Sequence, residues 1–411
     1  MSQKISFISL GCSKNLVDSE HMLFFLDEAG FSFTPHADQA DAVVVNTCAF
    51  IDEAKQEAID QILEMCALKN DGESNLKAVV VAGCLAQRYQ DELYREIPEI
   101  DGIVTSSSIK HVVETVKEAL EGKRPLYTGD KNAPMEEMGR LTVTPFYTAY
   151  VKISEGCNHR CSYCTIPSIR GRMRSRKKED VLAECKALVE SGAKELIIIA
   201  QDITRYGADL YGKPELASLI KEICRLPVEW VRLHYMNPDG FTEELIETIA
   251  NEPKILKYLD IPIQHVSDTV LKRMHRAYTG DTVRSLFTKF RNRIPGVVLR
   301  TSLIVGFPGE TDEDFEELCA FLMDFQIERA GVFAFSPQED TKAAALPDQH
   351  EEETKIARSE RVAAIQQEVM EAFGEGLIGR ELVVLCEAYD RLAEVWFGRS
   401  FADSPDVDGK V

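Results

Sequence analysis

Three short apolar runs each lead into a cysteine: Ile5-Ser6-Phe7-Ile8-Ser9-Leu10-Gly11-Cys12, Val43-Val44-Val45-Asn46-Thr47-Cys48 and Val79-Val80-Val81-Ala82-Gly83-Cys84. Near-continuous Val and Ile marks strands covered on both faces. The stretches between them, Ser19 to Ala29 and Asp52 to Leu68, carry helical patterning. Strand, helix, strand predicts a parallel sheet with right-handed crossovers. Its carboxyl edge then collects all three cysteines, which stand 36 residues apart both times. A strand over 102–105 and a helix over 109–120 complete an N-terminal parallel α/β domain spanning 1–128. Residues 129–145, with two prolines and two glycines, read as a linker.

From Tyr150 the alternation resumes, with strands expected near 150–156, 195–201, 230–236, 258–264, 299–306 and 330–335. Helical patterns fill the gaps, including Lys178 to Ser191, Thr242 to Ala250 and Asp312 to Phe325, and a charged helix follows from about Glu351 to Phe373. Six such units predict a partial (β/α)6 barrel over 146–374, whose chemistry belongs at the carboxyl ends of its strands. Over 375–411 the pattern changes. Leu382-Val383-Val384-Leu385 and Glu394-Val395-Trp396 read as strands separated by Tyr389-Asp390-Arg391, part of a small β barrel that these residues are too few to close.

The longest apolar stretches among 411 residues are strand-sized, so no transmembrane helix is expected. Met1-Ser2-Gln3-Lys4 leads straight into a strand without the regions of a signal peptide. A cytoplasmic location follows as the expectation, and there eleven cysteines would stay reduced and serve as ligands or nucleophiles. The formal charge of -21 disfavours general attraction to nucleic acid and suits a basic protein partner.

Cys157, Cys161 and Cys164 form a Cys-x3-Cys-x2-Cys loop directly after the first barrel strand. Three thiolates serve three irons of a four-iron cluster and leave the fourth iron open for a small molecule. A structural zinc site needs a fourth ligand, for which His159 is awkwardly spaced; unligated structural cysteine is the remaining alternative. Ile199-Ala200-Gln201-Asp202, Pro262-Ile263-Gln264-His265 and Ile304-Val305-Gly306-Phe307-Pro308-Gly309-Glu310 close later strands. Singly these read as turns or helix caps; beside the cysteine loop, Gln201, Asp202, Gln264, Arg300 and Gly306 become candidates for contact with a cofactor.

Cys12, Cys48 and Cys84, at matching strand ends, are candidates for a second cluster with an open iron, against the alternative of buried structural cysteine. Cys66, Cys185, Cys224, Cys319 and Cys386 are expected in the core. Arg170, Arg172, Arg174, Arg176, Lys177 and Lys178 make a basic run. A solvated loop, an acidic substrate side chain, a cofactor carboxylate and nucleic acid all remain open for it.

The cysteine loop resembles that of the radical S-adenosylmethionine superfamily. There the loop holds a [4Fe-4S] cluster, the cofactor chelates the open iron, and an electron from the cluster generates a 5'-deoxyadenosyl radical. A three-cysteine α/β domain, a radical barrel and a small TRAM-like β module, here expected to be incomplete, together resemble the methylthiotransferases over almost the whole chain. Within them, Ser154-Glu155-Gly156-Cys157-Asn158-His159-Arg160-Cys161, Ile166-Pro167-Ser168-Ile169-Arg170-Gly171 and Ala200-Gln201-Asp202-Ile203-Thr204-Arg205-Tyr206-Gly207 are similar to the branch that modifies a ribosomal protein. The branch that modifies adenosine in tRNA is the alternative. The resemblance implies a methylthio group placed on the β carbon of an aspartate in the small-subunit protein S-twelve. It also implies two S-adenosylmethionine molecules, two [4Fe-4S] clusters and an electron donor such as flavodoxin or ferredoxin. Eight acidic against four basic residues between Glu375 and Val411 agree with a basic protein target rather than RNA.

Overall fold

The computed structural model of the protein describes residues 3–405 and 407–411. Met1, Ser2 and Asp406, the last counted among the acidic residues of the tail, lie outside them. The chain forms two compact units. One comprises Met1–Arg160, Cys164–Glu184 and Ile199–Gln201, the other Cys161–Tyr163, Cys185–Ile198 and Asp202–Val411.

The first unit is built on strands β1 (Lys4–Ser9), β2 (Ser32–Phe33), β3 (Ala42–Thr47), β4 (Ala78–Ala82), β5 (Gly102–Thr105) and β6 (Leu126–Tyr127). They lie in the order β2-β1-β3-β4-β5-β6, and every neighbouring pair is parallel. All residues of β3 and β4 are buried, and their side chains alternate between two apolar layers as a pleated strand requires. Val43, Val45, Val79 and Val81 pack with Ile62, Met65 and Cys66 of helix α2 (Asp52–Lys69). Val44 and Val80 pack with Met22 and Leu26 of helix α1 (Ser13–Glu28) and with Val112 and Val116. Each such valine contributes roughly 1.5–3 kcal/mol by leaving water, which is why Val-Val-Val runs specify central strands. Helix α1 starts six residues before its predicted start, immediately after Cys12. Cys84 occupies the first turn of helix α3 (Gly83–Tyr89), directly beyond the end of β4.

All six strands expected of the barrel are present: β7 (Thr148–Lys152) in the first unit, then β10 (Glu195–Ile199), β11 (Trp230–Leu233), β12 (Ile255–Asp260), β13 (Val298–Val305) and β14 (Arg329–Ala334). A short ribbon in the first unit, β8 (Ser154–Glu155) against β9 (Arg174–Ser175), is antiparallel. In the second unit the order β14-β13-β12-β11-β10 joins sequential strands in parallel, and helices fill the connections. The helix Asp312–Phe325 opens with a Thr311 capping box closed by Asp314, which explains its sharp start.

The tail forms a hairpin, β15 (Leu385–Asp390) with β16 (Val395–Arg399). It is displaced a few residues C-terminally from the predicted strands. Tyr389 and Asp390, expected as a separator, pair with Trp396 and Val395, because the turn falls at 391–394; a bulge between Cys386 and Ala388 shifts the register. That position also corrects the expectation for Cys386, which is exposed on the hairpin, whereas Cys66, Cys185, Cys224 and Cys319 are buried as expected. Beyond β16, Phe401 and Ala402 pack with Leu256, Tyr258 and Val298. Among the described residues no helix is long and apolar enough to cross a membrane.

Candidate metal centres

The three strand ends of the first unit are tied together by side chains of the residues around them. Asn15 Nδ2 donates to the Leu10 carbonyl (2.7 Å) and the Thr47 carbonyl (3.3 Å). Asn46 Nδ2 donates to the Asn15 carbonyl (2.9 Å) and to Ser19 Oγ (2.8 Å), and Thr47 Oγ1 donates to the Ala82 carbonyl (2.6 Å). Gly11 has φ +88°, and a Cβ there would lie 2.8 Å from Cys48 Cβ and 3.2 Å from its Sγ. Only glycine lets the chain pass over Cys48 on the way to Cys12. Cys12 is exposed, Cys48 partly buried and Cys84 buried. Burial pushes the Cys84 thiol up to about 12, with Cys12 and Cys48 near enough to add repulsion and Arg170 opposing both. Cys48 is raised in the same sense, burial first.

In the radical loop, Gly156 has φ +80° and a Cβ there would stand 2.2 Å from the Arg172 carbonyl oxygen, so this glycine too is demanded by close approach. Cys157 N–H donates to the Gly171 carbonyl at 3.1 Å. Cys164 Sγ accepts from Ile166 N–H at 3.5 Å, at the start of the helix Ile166–Arg170. In the second unit, Arg276 Nη1 donates to Cys161 Sγ at 3.1 Å. All three cysteines are partly exposed.

Among the described residues no three His, Cys, Asp or Glu side chains meet closely enough to hold a single metal ion. An iron–sulfur cluster asks for something else, one thiolate per iron. The donor chemistry suits that group, with three thiols in each set and a guanidinium N–H directed at one sulfur of each.

The basic run is mixed: Arg170 is buried, and Arg174, Arg176 and Lys178 are partly buried. Arg170 is buried against Asp18 and Glu155, while Arg176 pairs with Glu137 and Glu184; Arg172 and Lys177 are exposed. Burial pushes Glu155 upward, but the adjacent Lys152 and Arg170 overcome it and hold the carboxyl well below its ordinary range. Gln201 Nε2 donates to the same carboxylate at 2.5 Å. Asp202 accepts from Thr204 N–H (2.9 Å) and Thr204 Oγ1 (2.6 Å), capping the turn that follows.

In the second unit Gln264 has φ +68° and bridges to Leu303 through its backbone. Arg300 donates to Asp260 at 2.6 Å. Gly306 has φ +68° and lies so close to Lys355 that a Cβ would meet its Cγ at 2.3 Å. Asn15, Asp18, Lys152, Glu155 and Arg276 were not among the residues singled out from the sequence. The signal available for the last two was slight: Glu155 adjoins the cysteine loop, and Arg276 is one arginine among many.

Glu310, at the end of the Gly306-Phe307-Pro308-Gly309 turn, accepts from Phe307 N–H at 2.9 Å and faces Arg358 at 3.2 Å. Burial pushes its carboxyl from 4.5 up to about 7 despite both partners. The folded state therefore holds the proton more tightly than the unfolded state. Its stabilising contribution is complete below about pH 4.5 and is lost as pH rises through about 7, roughly 3 kcal/mol in all. Glu310→Gln should flatten that part of the stability profile, as thermal midpoints measured between pH 4 and 8 would reveal. An unchanged profile would remove Glu310 as its source.

Residues 151–322 match the family model for the radical SAM superfamily, and residues 4–105 match Uncharacterized protein family UPF0004. Among solved structures, the radical S-adenosylmethionine methyltransferase TsrM from Kitasatospora setae, with cobalamin and a [4Fe-4S] cluster bound, aligns with TM-score 0.59 and 16% identity. It covers 82% of this chain and 74% of that one. The cobalamin-dependent radical enzyme OxsB aligns with TM-score 0.53 and 13% identity over 90% of this chain and 56% of its own. At such identities these likenesses show the fold, and with the family model they define a radical S-adenosylmethionine enzyme.

Relatives named "Ribosomal protein uS12 methylthiotransferase RimO" are far more similar in sequence. The one from Geobacter sulfurreducens is 48% identical, spanning 100% of this chain and 92% of its own length; that from Desulforamulus reducens is 47% identical over 99% and 92%. This chain belongs to the RimO family of radical S-adenosylmethionine methylthiotransferases.

Proposed function

We propose that the chain attaches a methylthio group to the β carbon of an aspartate in ribosomal protein uS12. The observation that carries this is full-length identity of nearly one half to relatives bearing that name. In the same reading, residues 1–128 form the methylthiotransferase domain, 129–145 a linker, 146–374 the radical core and 375–411 a TRAM-like module. Cys157, Cys161 and Cys164 would hold the cluster that binds S-adenosylmethionine. Cys12, Cys48 and Cys84 would hold a second cluster, which when bound would supply the sulfur. When bound, the first cluster and S-adenosylmethionine supply removal of a hydrogen atom from an unactivated carbon, and a second cofactor molecule supplies the methyl group.

The chain's own residues shape the surroundings. Gly156 and the Cys157 N–H fix the start of the loop, and Arg276 supplies positive charge beside Cys161. Gln201, Asp202, Gln264, Arg300 and Gly306 are proposed, from the family resemblance, to border the cofactor. The acidic tail would steer a basic protein by long-range attraction. A flavodoxin- or ferredoxin-type donor and the cytoplasm complete the proposal.

The test is to incubate the anaerobically reconstituted enzyme, with reductant and S-adenosylmethionine, with uS12 and separately with tRNA. Mass spectrometry should show a methylthio gain on the protein alone. A gain confined to tRNA would overturn the assignment in favour of adenosine modification.

A further inference from the structure

Arg170 ends the helix Ile166–Arg170 and is 4% exposed. One of its terminal nitrogens, Nη1, donates to Asp18 and, at 3.2 Å, to Glu155. The other, Nη2, donates to Asn15 Oδ1 at 3.1 Å and to Cys84 Sγ at 3.1 Å. Asn15 and Asp18 lie on α1, the helix that begins beside Cys12. Glu155 stands two residues before Cys157 and also receives Lys152 Nζ at 2.8 Å; Lys152 pairs with Asp18 as well. Two carboxylates are thus matched by two cations, and the network is charge-balanced before the cysteine is counted.

A neutral thiol accepts hydrogen bonds weakly, whereas a thiolate accepts them with charge assistance. The guanidinium N–H on Cys84 is therefore worth most when the sulfur is ionised, as a metal ligand must be. Hydrogen bonds to ligand sulfur are among the determinants of a cluster's reduction potential. They favour the more negatively charged, reduced form.

Resting on the two-cluster reading above, we infer that Arg170 is a positioning residue for the auxiliary cluster, holding Cys84 on its iron and raising that cluster's reduction potential through the Nη2–Sγ hydrogen bond. Asp18 and Asn15 in turn fix the guanidinium. The same side chain also holds Glu155, two residues before Cys157, within that buried polar network.

The experiment uses the full chain reconstituted with iron and sulfide, in parallel with a Cys157/Cys161/Cys164 triple-alanine version in which only the auxiliary signal remains. Arg170→Lys keeps the charge but cannot span all its partners. The double variant Arg170→Gln with Asp18→Asn removes the charge together with one carboxylate, so that it folds without an unpaired buried group. Iron content, circular dichroism and electron paramagnetic resonance during a redox titration are read for each. At a fixed potential the reduced-to-oxidised ratio of the auxiliary cluster should fall about tenfold in both variants, which for one electron is about 59 mV. Loss of the auxiliary iron from a chain with parental circular dichroism supports the holding role in stronger form. Unmoved potentials in both folded, iron-loaded variants would overturn the inference. Should the parent hold one cluster that survives loss of Cys12, Cys48 and Cys84, the two-cluster reading fails, and this inference with it.

Discussion

Replacing Cys12, Cys48 and Cys84 together by alanine should lower the iron of the reconstituted chain from about eight atoms to about four, the difference of one thiolate-held four-iron cluster. The three thiols come from the ends of β1, β3 and β4, which the Asn15, Asn46 and Thr47 hydrogen bonds hold in fixed register. Removing the sulfurs leaves that lattice intact, so the fold should survive while methylthiolation is abolished. Cleavage of S-adenosylmethionine should persist, because Cys157, Cys161 and Cys164 are untouched. An iron count of about four in both proteins would leave a radical enzyme with one cluster and remove the source of sulfur. Iron and sulfide assays beside a cleavage assay settle the outcome.

The second large effect concerns stability. Glu195 opens β10 fully buried, with Arg232 Nε at 2.7 Å on one oxygen and Arg399 Nη2 at 2.6 Å on the other. Arg399 also reaches Glu387 at 2.6 Å, and Arg232 donates to the Phe401 carbonyl at 3.0 Å. Burial pushes the Glu195 carboxyl up, yet the two guanidiniums bring it below its ordinary range. Its stabilisation is present above the usual carboxylate range and is lost as pH falls through the depressed value.

Glu195→Ala strands the buried Arg232 and leaves Arg399 with Glu387 alone, a loss on the order of 3–5 kcal/mol, or on the order of 10 °C in the thermal midpoint of a unit this size. Replacing Glu195, Arg232, Arg399 and Glu387 together by apolar side chains of similar volume should recover much of it. A midpoint unmoved by Glu195→Ala would show that water reaches the triad.

The parallel N-terminal sheet was legible because its central strands are buried on both faces, which leaves Val and Ile at nearly every position. The cysteine at each strand end was legible for the same reason, since the apolar run announces where the edge begins. The tail was read less well: its turn falls at 391–394, after Tyr389 and Asp390, and a bulge at Cys386 shifts the pairing while leaving little trace in a hydrophobic pattern.

Four readings stayed open for the basic run after the radical loop because the partners of its buried member are remote. Arg170 meets Asp18 across 152 positions of chain, and no local periodicity encodes such a pair. Glu195 was equally silent. A glutamate at the head of an apolar strand looks like a solvated strand end until Arg232 and Arg399 are placed beside it.

The graded exposure of the N-terminal cysteines gives that corner of the molecule a direction. In the metal-free chain an alkylating or oxidising reagent meets Cys12 first, because it is exposed. It meets Cys84 last, because that sulfur is enclosed and its thiol, near 12, offers almost no thiolate to react. Damage to the apoprotein therefore enters from the Cys12 side, and mild modification spares the sulfur beneath Arg170. A chain partly inactivated in air would carry its scar on the outermost residue of the three.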